Sequence, residues 1–195
     1  MDKIKLMIVE DDPVWMQCIS DYIEKENDII VVKQAYNKEE ALQVDYNNID
    51  VVLLDLTLLK DEGDEENLSG LEVARHLYKK GLKKTIMLTS WDEKDIILEC
   101  FDTGVVNYIT KTSYRDIPNA IREAFRGKVS LHADVTNVLV GELRKERKVK
   151  ILTPTEREVY TLREQGLNKS QIADKLYKSV ETIKRQLRII KSKMQ

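Results

Sequence analysis

Five short runs of apolar, mostly β-branched residues recur along the first two thirds of the chain, at 4–9, 29–32, 51–54, 85–88 and 105–109, and an amphipathic helical stretch follows each. This alternation argues for parallel strands joined by crossover helices, with helices on both faces of one sheet. Val51–Leu54 and Ile86–Leu88 are apolar at consecutive positions, as strands buried on both sides require. Start signals precede the helical stretches. Pro13 stands just inside the first, and Asn37 with Glu40 forms a capping box. Ser69 precedes Gly70–Lys79, Asp92 precedes Glu93–Phe101, and Asp116 precedes Ile117 and Pro118. Gly127 supplies the stop after the fifth helix. The expected fold is α/β, a doubly wound five-stranded parallel sheet over residues 1–127.

The rest reads differently. Residues 128–149 form a linker with a helix over Ala133–Lys148, ending in the charged run Arg144–Lys150. Thr153-Pro154-Thr155-Glu156 then combines an N-cap, a proline at the first helical position and a glutamate at the third. Gly166 stops that helix, Asn168 with Gln171 caps a second to about Tyr177, and Ser179 starts a third that runs to the end. Residues 150–195 are expected to be a small all-α domain.

The net charge of −2 conceals an asymmetry. Residues 1–141 carry 17 Lys+Arg against 27 Asp+Glu, a net of −10; residues 142–195 carry 15 against 7, a net of +8. An acidic body with a basic tail implies two modules with different partners, nucleic acid first among them for the tail. No apolar run approaches the about 18 to 20 residues of a membrane helix, and Met1–Val9 lacks a signal-peptide pattern, so a cytoplasmic protein without membrane attachment is expected. Cys18 and Cys100 lack metal or redox spacing and read as buried or half-buried free thiols.

In a doubly wound sheet, ligands gather beyond the carboxyl ends of the strands. There the first strand is followed by Glu10-Asp11-Asp12, the third ends in Asp55, the fourth in Thr89-Ser90, and the fifth leads into Thr110-Lys111. Clustered carboxylates raise one another's pKa unless a cation neutralises them. A hard divalent ion with oxygen ligands resolves that conflict, and Mg²⁺ (or Mn²⁺) suits an open site that also admits a phosphoryl group. Asp55 would supply the oxygen nucleophile, with the metal and Lys111 neutralising charge.

These residues resemble a bacterial two-component response regulator receiver domain. The resemblance rests on Glu10-Asp11, Asp55, Thr89, and Tyr108 with Lys111, each near a strand end. It implies a flavodoxin-like fold, with Asp55 as phosphoacceptor. Mg²⁺ ligands would be Glu10, Asp11, Asp55 and the backbone carbonyl of Thr57. Thr89 and Lys111 would bind phosphoryl oxygens, and Tyr108 would be the aromatic that turns inward on activation. Phosphorylation adds close to two negative charges and new acceptor oxygens, the local bias that a bistable switch needs.

Two departures stand out. Leu56–Ser69 lacks the family's Met-Pro and carries the acidic run Asp61-Glu62-Gly63-Asp64-Glu65-Glu66-Asn67, a solvated insertion expected to tune metal affinity or partner choice. Trp91, two residues past Thr89, stands beside the route of water to a phosphoryl group and is expected to slow its hydrolysis.

In the tail, Leu152–Val159 through Gly166-Leu167, then Ile172-Ala173-Leu176 and Ser179–Lys184, resembles the LuxR/NarL helix-turn-helix. Lys184, Arg188 and Lys191 recur at i, i+4, i+7 and form a basic stripe, while Ile183, Leu187 and Ile190 line the packed face. The resemblance implies base contacts by Lys184, Arg185 and Arg188, and phosphate contacts by Lys169 and Lys191. Gln186 stands where many relatives have His, and Lys178 where an apolar turn residue is usual. LuxR-type domains generally add a fourth helix; the match stops short of it at Lys193-Met194-Gln195. A shortened tail or another dimer surface would each account for that, and the last receiver helices with the fifth strand are the expected dimer contact.

The expected function is a phosphorylation-controlled transcription factor, with a sensor histidine kinase as donor, promoter DNA as target and a phosphorylation-dependent homodimer as active form. A phosphorylation-responsive protein-interaction adaptor is the alternative. A haloacid-dehalogenase-type phosphatase would need an Asp where Thr57 stands and its nucleophile on the first strand. The chain is thus expected to be no enzyme beyond its own phosphorylation and dephosphorylation. His76 and His132 have no matched catalytic partners.

Overall fold

The computed structural model describes residues 3–58 and 68–194, so the acidic run 61–67 lies outside the described residues. The chain divides into two compact units, Met1–Val138 and Leu139–Gln195.

The first unit is built on five parallel strands, β1 (Ile4–Val9), β2 (Ile29–Ala35), β3 (Val51–Asp55), β4 (Thr85–Thr89) and β5 (Asn107–Thr110), in the order β2-β1-β3-β4-β5. That is the flavodoxin-like doubly wound order expected, and its direction reverses between β1 and β3, opening a crevice beyond their carboxyl ends. β3 and β4 are buried at every position, which is why their sequences do not alternate. β2 is an edge strand and exposes residues in its middle. β5 begins at Asn107, opposite Ile86 of β4, rather than at Val105, and the buried Asn107 carboxamide accepts the Tyr108 N–H at 2.8 Å and that of His132 at 3.3 Å. One face of the sheet packs Leu6, Ile8, Leu53, Ile86 and Leu88 against Met16, Ile19 and Ile23 of α1 (Pro13–Ile23) and Ile117 and Ile121 of α5 (Ile117–Phe125).

The first two helices start at side-chain caps. Asp12 caps α1, its Oδ1 accepting from the amides of Val14 at 2.8 Å and Trp15 at 3.3 Å. Asn37 caps the short α2 (Lys38–Leu42) through Oδ1 and the Glu40 amide; the reciprocal Glu40 bond goes to the Tyr36 amide. Three expected caps are corrected. α3 (Ser69–Lys79) includes Ser69, whose hydroxyl bonds both backbone groups of Leu58 instead of capping. α4 (Lys94–Asp102) begins one residue later than expected, with Glu93 before it. Asp116 makes no capping bond to α5; its Oδ2 lies 3.0 Å from His132 Nε2, and a 3₁₀ segment over Lys111–Asp116 precedes α5. Cys100 is buried, but Cys18 is exposed on the outer face of α1, contrary to the expectation for both thiols.

α6 (Ala133–Val149) contributes to both units. The second unit continues with α7 (Pro154–Glu164), α8 (Lys169–Lys175) and α9 (Val180–Met194), packed on Leu152, Val159, Ile172, Ile183 and Ile190. The Thr153/Glu156 and Asn168/Gln171 capping boxes both form. Lys193 near the end of α9 binds both carboxylate oxygens of Glu156, at 2.8 and 2.7 Å, tying the end of α9 to the start of α7. Among the described residues, no helix is long and apolar enough to cross a membrane.

Candidate phosphoacceptor site and basic helix

The crevice between β1 and β3 brings the sequence-predicted acids together. Glu10 follows β1 and is buried, Asp11 is half-buried, and Asp55 ends β3 with 5 % of its surface exposed. One ligand atom from each of the three lies within 4.8 Å of the others. Asp12 lines the same cleft but is occupied as the α1 cap. Thr57, Thr89, Ser90, Trp91 and Lys111 complete the lining of a cleft of about 220 Å³.

Lys111, immediately after β5, is the cation among these acids. Its Nζ donates to Asp55 Oδ2 at 2.8 Å and to Glu10 Oε1 at 3.0 Å, and Glu10 Oε2 also lies at 2.8 Å. Burial disfavours ionised carboxyls, so Glu10 is pushed up to about 8, by desolvation first and by the Asp55 charge second. Burial also raises the Asp55 pKa, against the opposing pull of Lys111. For Lys111 burial works against the charge, yet Asp55 and Glu10 outweigh it and hold the ammonium above its ordinary pKa. Three carboxyl groups this close form a set of hard oxygen donors that fits a divalent cation, whose charge would favour their ionised forms.

The predicted switch residues are joined by a chain of hydrogen bonds through Trp91. The Thr89 hydroxyl, on a buried residue, accepts the Trp91 amide at 3.3 Å. Tyr108 is wholly buried, already turned inward, and its hydroxyl donates to the Trp91 carbonyl at 2.6 Å. Burial pushes the phenol pKa far up, so it remains a donor. The Trp91 indole N–H donates to Thr57 Oγ1 at 3.1 Å, reaching from the end of β4 to the loop after β3. The Thr57 amide in turn donates to Asp55 Oδ1 at 3.3 Å.

Two contributors escaped the sequence reading. Trp15, in the first turn of α1, places its ring centroid 5.3 Å from Lys111 Nζ, a cation–π contact. Gly70 is the second. A Cβ there would lie 2.3 Å from the Asp55 carbonyl oxygen and 2.7 Å from the Leu56 backbone, and the Gly70 amide donates to Leu56 O at 2.9 Å. Only a residue without a side chain lets α3 approach the end of β3 this closely. The signal was present as a glycine at a helix start, where propensity alone disfavours it.

In the second unit α8 and α9 are joined by a short turn in the helix-turn-helix manner. Ile183 and Ile190 of α9 are buried and Leu187 packs against them, as the spacing predicted. Lys169, Arg185, Arg188 and Lys191 are exposed, whereas Lys184 is half-buried and its Nζ lies 3.2 Å from Glu181 Oε2.

Residues 6–122 match the family model for the response regulator receiver domain. The response regulator protein VraR of Staphylococcus aureus is 29% identical over 197 residues, covering 98% of this chain and 90% of VraR. Among solved structures, the response regulator ChrA of a heme-sensing two-component system is 28% identical, with a TM-score of 0.58 over 99% of this chain and 90% of that one. RcsB from Salmonella typhimurium, 23% identical with a TM-score of 0.64 over 100% and 93% of the two chains, shares the fold. The chain belongs to the response regulator receiver family and is a response regulator of a two-component system.

Proposed function

We propose that Asp55 accepts a phosphoryl group from a sensor histidine kinase and that the modification controls promoter binding by the basic helical unit. The observation that carries this reading is the ammonium of Lys111 held 2.8 Å from a buried Asp55 beside two further carboxylates. A carboxylate oxygen of Asp55 attacks phosphorus, the P–N bond to the donor imidazole breaks with its electron pair returning to that nitrogen, and an acyl phosphate forms. Glu10, Asp11, Asp55 and the Thr57 carbonyl would hold Mg²⁺ or Mn²⁺. The ion, when bound, supplies the charge neutralisation that lets an anionic phosphoryl group approach an anionic nucleophile. Lys111 moves from Glu10 toward the new oxygens, Thr89 donates its hydroxyl to another, and Trp91, linked to both Thr89 and Tyr108, transmits that shift. The same indole restricts water. Beyond its own phosphorylation and dephosphorylation the protein performs no reaction on a free substrate.

The division of labour follows the charge: receiver over 1–127, connection over 128–149, and a DNA-binding unit over 150–195 working in the cytoplasm. Lys184, Arg185 and Arg188 read bases, while Lys169 and Lys191 meet phosphates. RcsB, which shares the fold, has been solved as dimers bound to DNA, and the active form proposed here is a phosphorylation-dependent homodimer. The test treats wild type, Asp55→Ala and Trp91→Ala with a small phosphodonor and Mg²⁺, then follows phosphate incorporation and loss, oligomer mass and binding to a promoter pool. Asp55→Ala is expected to incorporate none and to stay weak on DNA, and Trp91→Ala to lose phosphate faster than wild type. A wild type that is phosphorylated but binds no DNA would replace transcriptional control with the adaptor role.

A further inference from the structure

Among the described residues, five helices end with a residue in the left-handed region, and four of them use glycine there: Gly81 after α3 (φ +89°), Gly104 after α4 (+94°), Gly127 after α5 (+72°) and Gly166 after α7 (+86°). The fifth, in the turn between α8 and α9, is Tyr177 at φ +51°, the one non-glycine residue with positive φ among the described residues. The turn closes in the usual helix-ending way: the Lys178 amide donates to Ala173 O at 2.9 Å and the Tyr177 amide to Asp174 O at 3.3 Å. Both bonds are made by the backbone, so glycine would make them without the clash between Cβ and carbonyl oxygen that a side chain brings in this conformation.

The tyrosine gains nothing within its own unit that offsets that strain. It is 98 % exposed, far beyond the other large apolar or aromatic residues on the surface. No hydrogen bond to its hydroxyl, ring stacking or cation–π contact is found for it among the described residues. The strained backbone therefore holds an aromatic ring and a hydroxyl out in solvent. Its surroundings are basic: Lys175 and Lys178 flank the turn, and Lys184 and Arg185 lie in the first turns of α9. In a helix-turn-helix, the N-terminal part of the second helix meets the base edges, so the turn before it stands at the rim of the groove.

We propose that Tyr177 is a DNA-contact residue whose hydroxyl donates to a backbone phosphate at the rim of the groove that α9 enters. This rests on the DNA-binding reading of the helical unit. A tyrosine hydroxyl contributes a hydrogen bond without a charge. Tyr177 thus adds affinity and fixes the register of α9 without releasing a counterion.

The test uses the full chain treated with phosphodonor and Mg²⁺, and DNA enriched from a promoter pool by wild type. Wild type, Tyr177→Gly, Tyr177→Phe and Arg185→Ala are compared for DNA affinity across a salt series and for melting temperature. Tyr177→Gly relieves the backbone, so misfolding does not confuse its result. It is expected to melt no lower than wild type yet bind about tenfold more weakly. Tyr177→Phe is expected to weaken binding to a similar extent, and neither variant to change the slope of affinity against salt. Unchanged affinity in Tyr177→Gly alongside a loss in Arg185→Ala would overturn the role of Tyr177 and leave DNA binding standing. Full affinity in Tyr177→Phe with a loss in Tyr177→Gly would overturn the phosphate bond. A phosphorylated wild type that enriches no DNA would overturn the DNA-binding reading and the inference with it.

Discussion

The two units handle charge in opposite ways. The receiver takes its ionisable groups out of water, with Glu10 and Asp55 1 % and 5 % exposed and only 11 % of the Lys111 side chain accessible. The helical unit keeps Lys169, Arg185, Arg188 and Lys191 in solvent. Buried charges are expensive unless paired, and their geometry is fixed before any partner arrives. Solvated charges cost little and act only when an opposite charge comes near. A chemical site needs the first arrangement and a binding surface the second.

The largest break in this contrast is Lys111→Met. It strands two buried carboxyls, and stability is expected to fall by about 3–5 kcal/mol, read as a lower urea midpoint at unchanged slope. Next comes Gly70→Ala, which forces α3 away from the Asp55 and Leu56 backbone. A loss of about 1–3 kcal/mol is expected, together with slower phosphorylation, because the carboxylate moves with its strand end. Arg188→Ala sharpens the comparison from the other side. Its unfolding free energy should stay within about 0.5 kcal/mol of wild type, while DNA binding weakens by about 1–3 kcal/mol at fixed salt.

The smallest effect is a pH dependence. Lys193 and the Thr153 amide hold the Glu156 carboxyl below its ordinary value. The folded state therefore binds its proton less readily than the unfolded chain. The contribution is fully present above the ordinary carboxylate range, and it disappears as pH falls through the lowered value. NMR-monitored melts of α7 and α9 should show this acid loss in wild type, and Glu156→Gln should remove that component.

Most of the sheet was legible because β3 and β4 carry continuous apolar runs, and the site was legible because its acids fall at strand ends. The rest failed for physical reasons. β5 starts with a buried asparagine, whose side-chain bonds compensate a polar group that no periodicity would place in a strand. β2 runs on to Ala35 because pairing with β1 holds residues whose pattern is half polar. Ser69 and Asp116 looked like caps, but tertiary partners at Leu58 and His132 claimed their side chains. Cys18 lies on the solvent face of α1, which its composition does not announce. Trp15 and Gly70 support Asp55 and Lys111 through space, across separations in sequence that no spacing rule spans.

The double engagement of Lys111 has a consequence for signal size. Before any phosphoryl group arrives, the ammonium already has two carboxyl partners at 2.8 Å. An input shifts a conformational balance only by the difference in its affinity for the two states. In the proposed cycle the signal is thus the margin by which phosphoryl oxygens outcompete Glu10 for one cation, and Glu10 sets the threshold of the switch as directly as Asp55 sets its trigger.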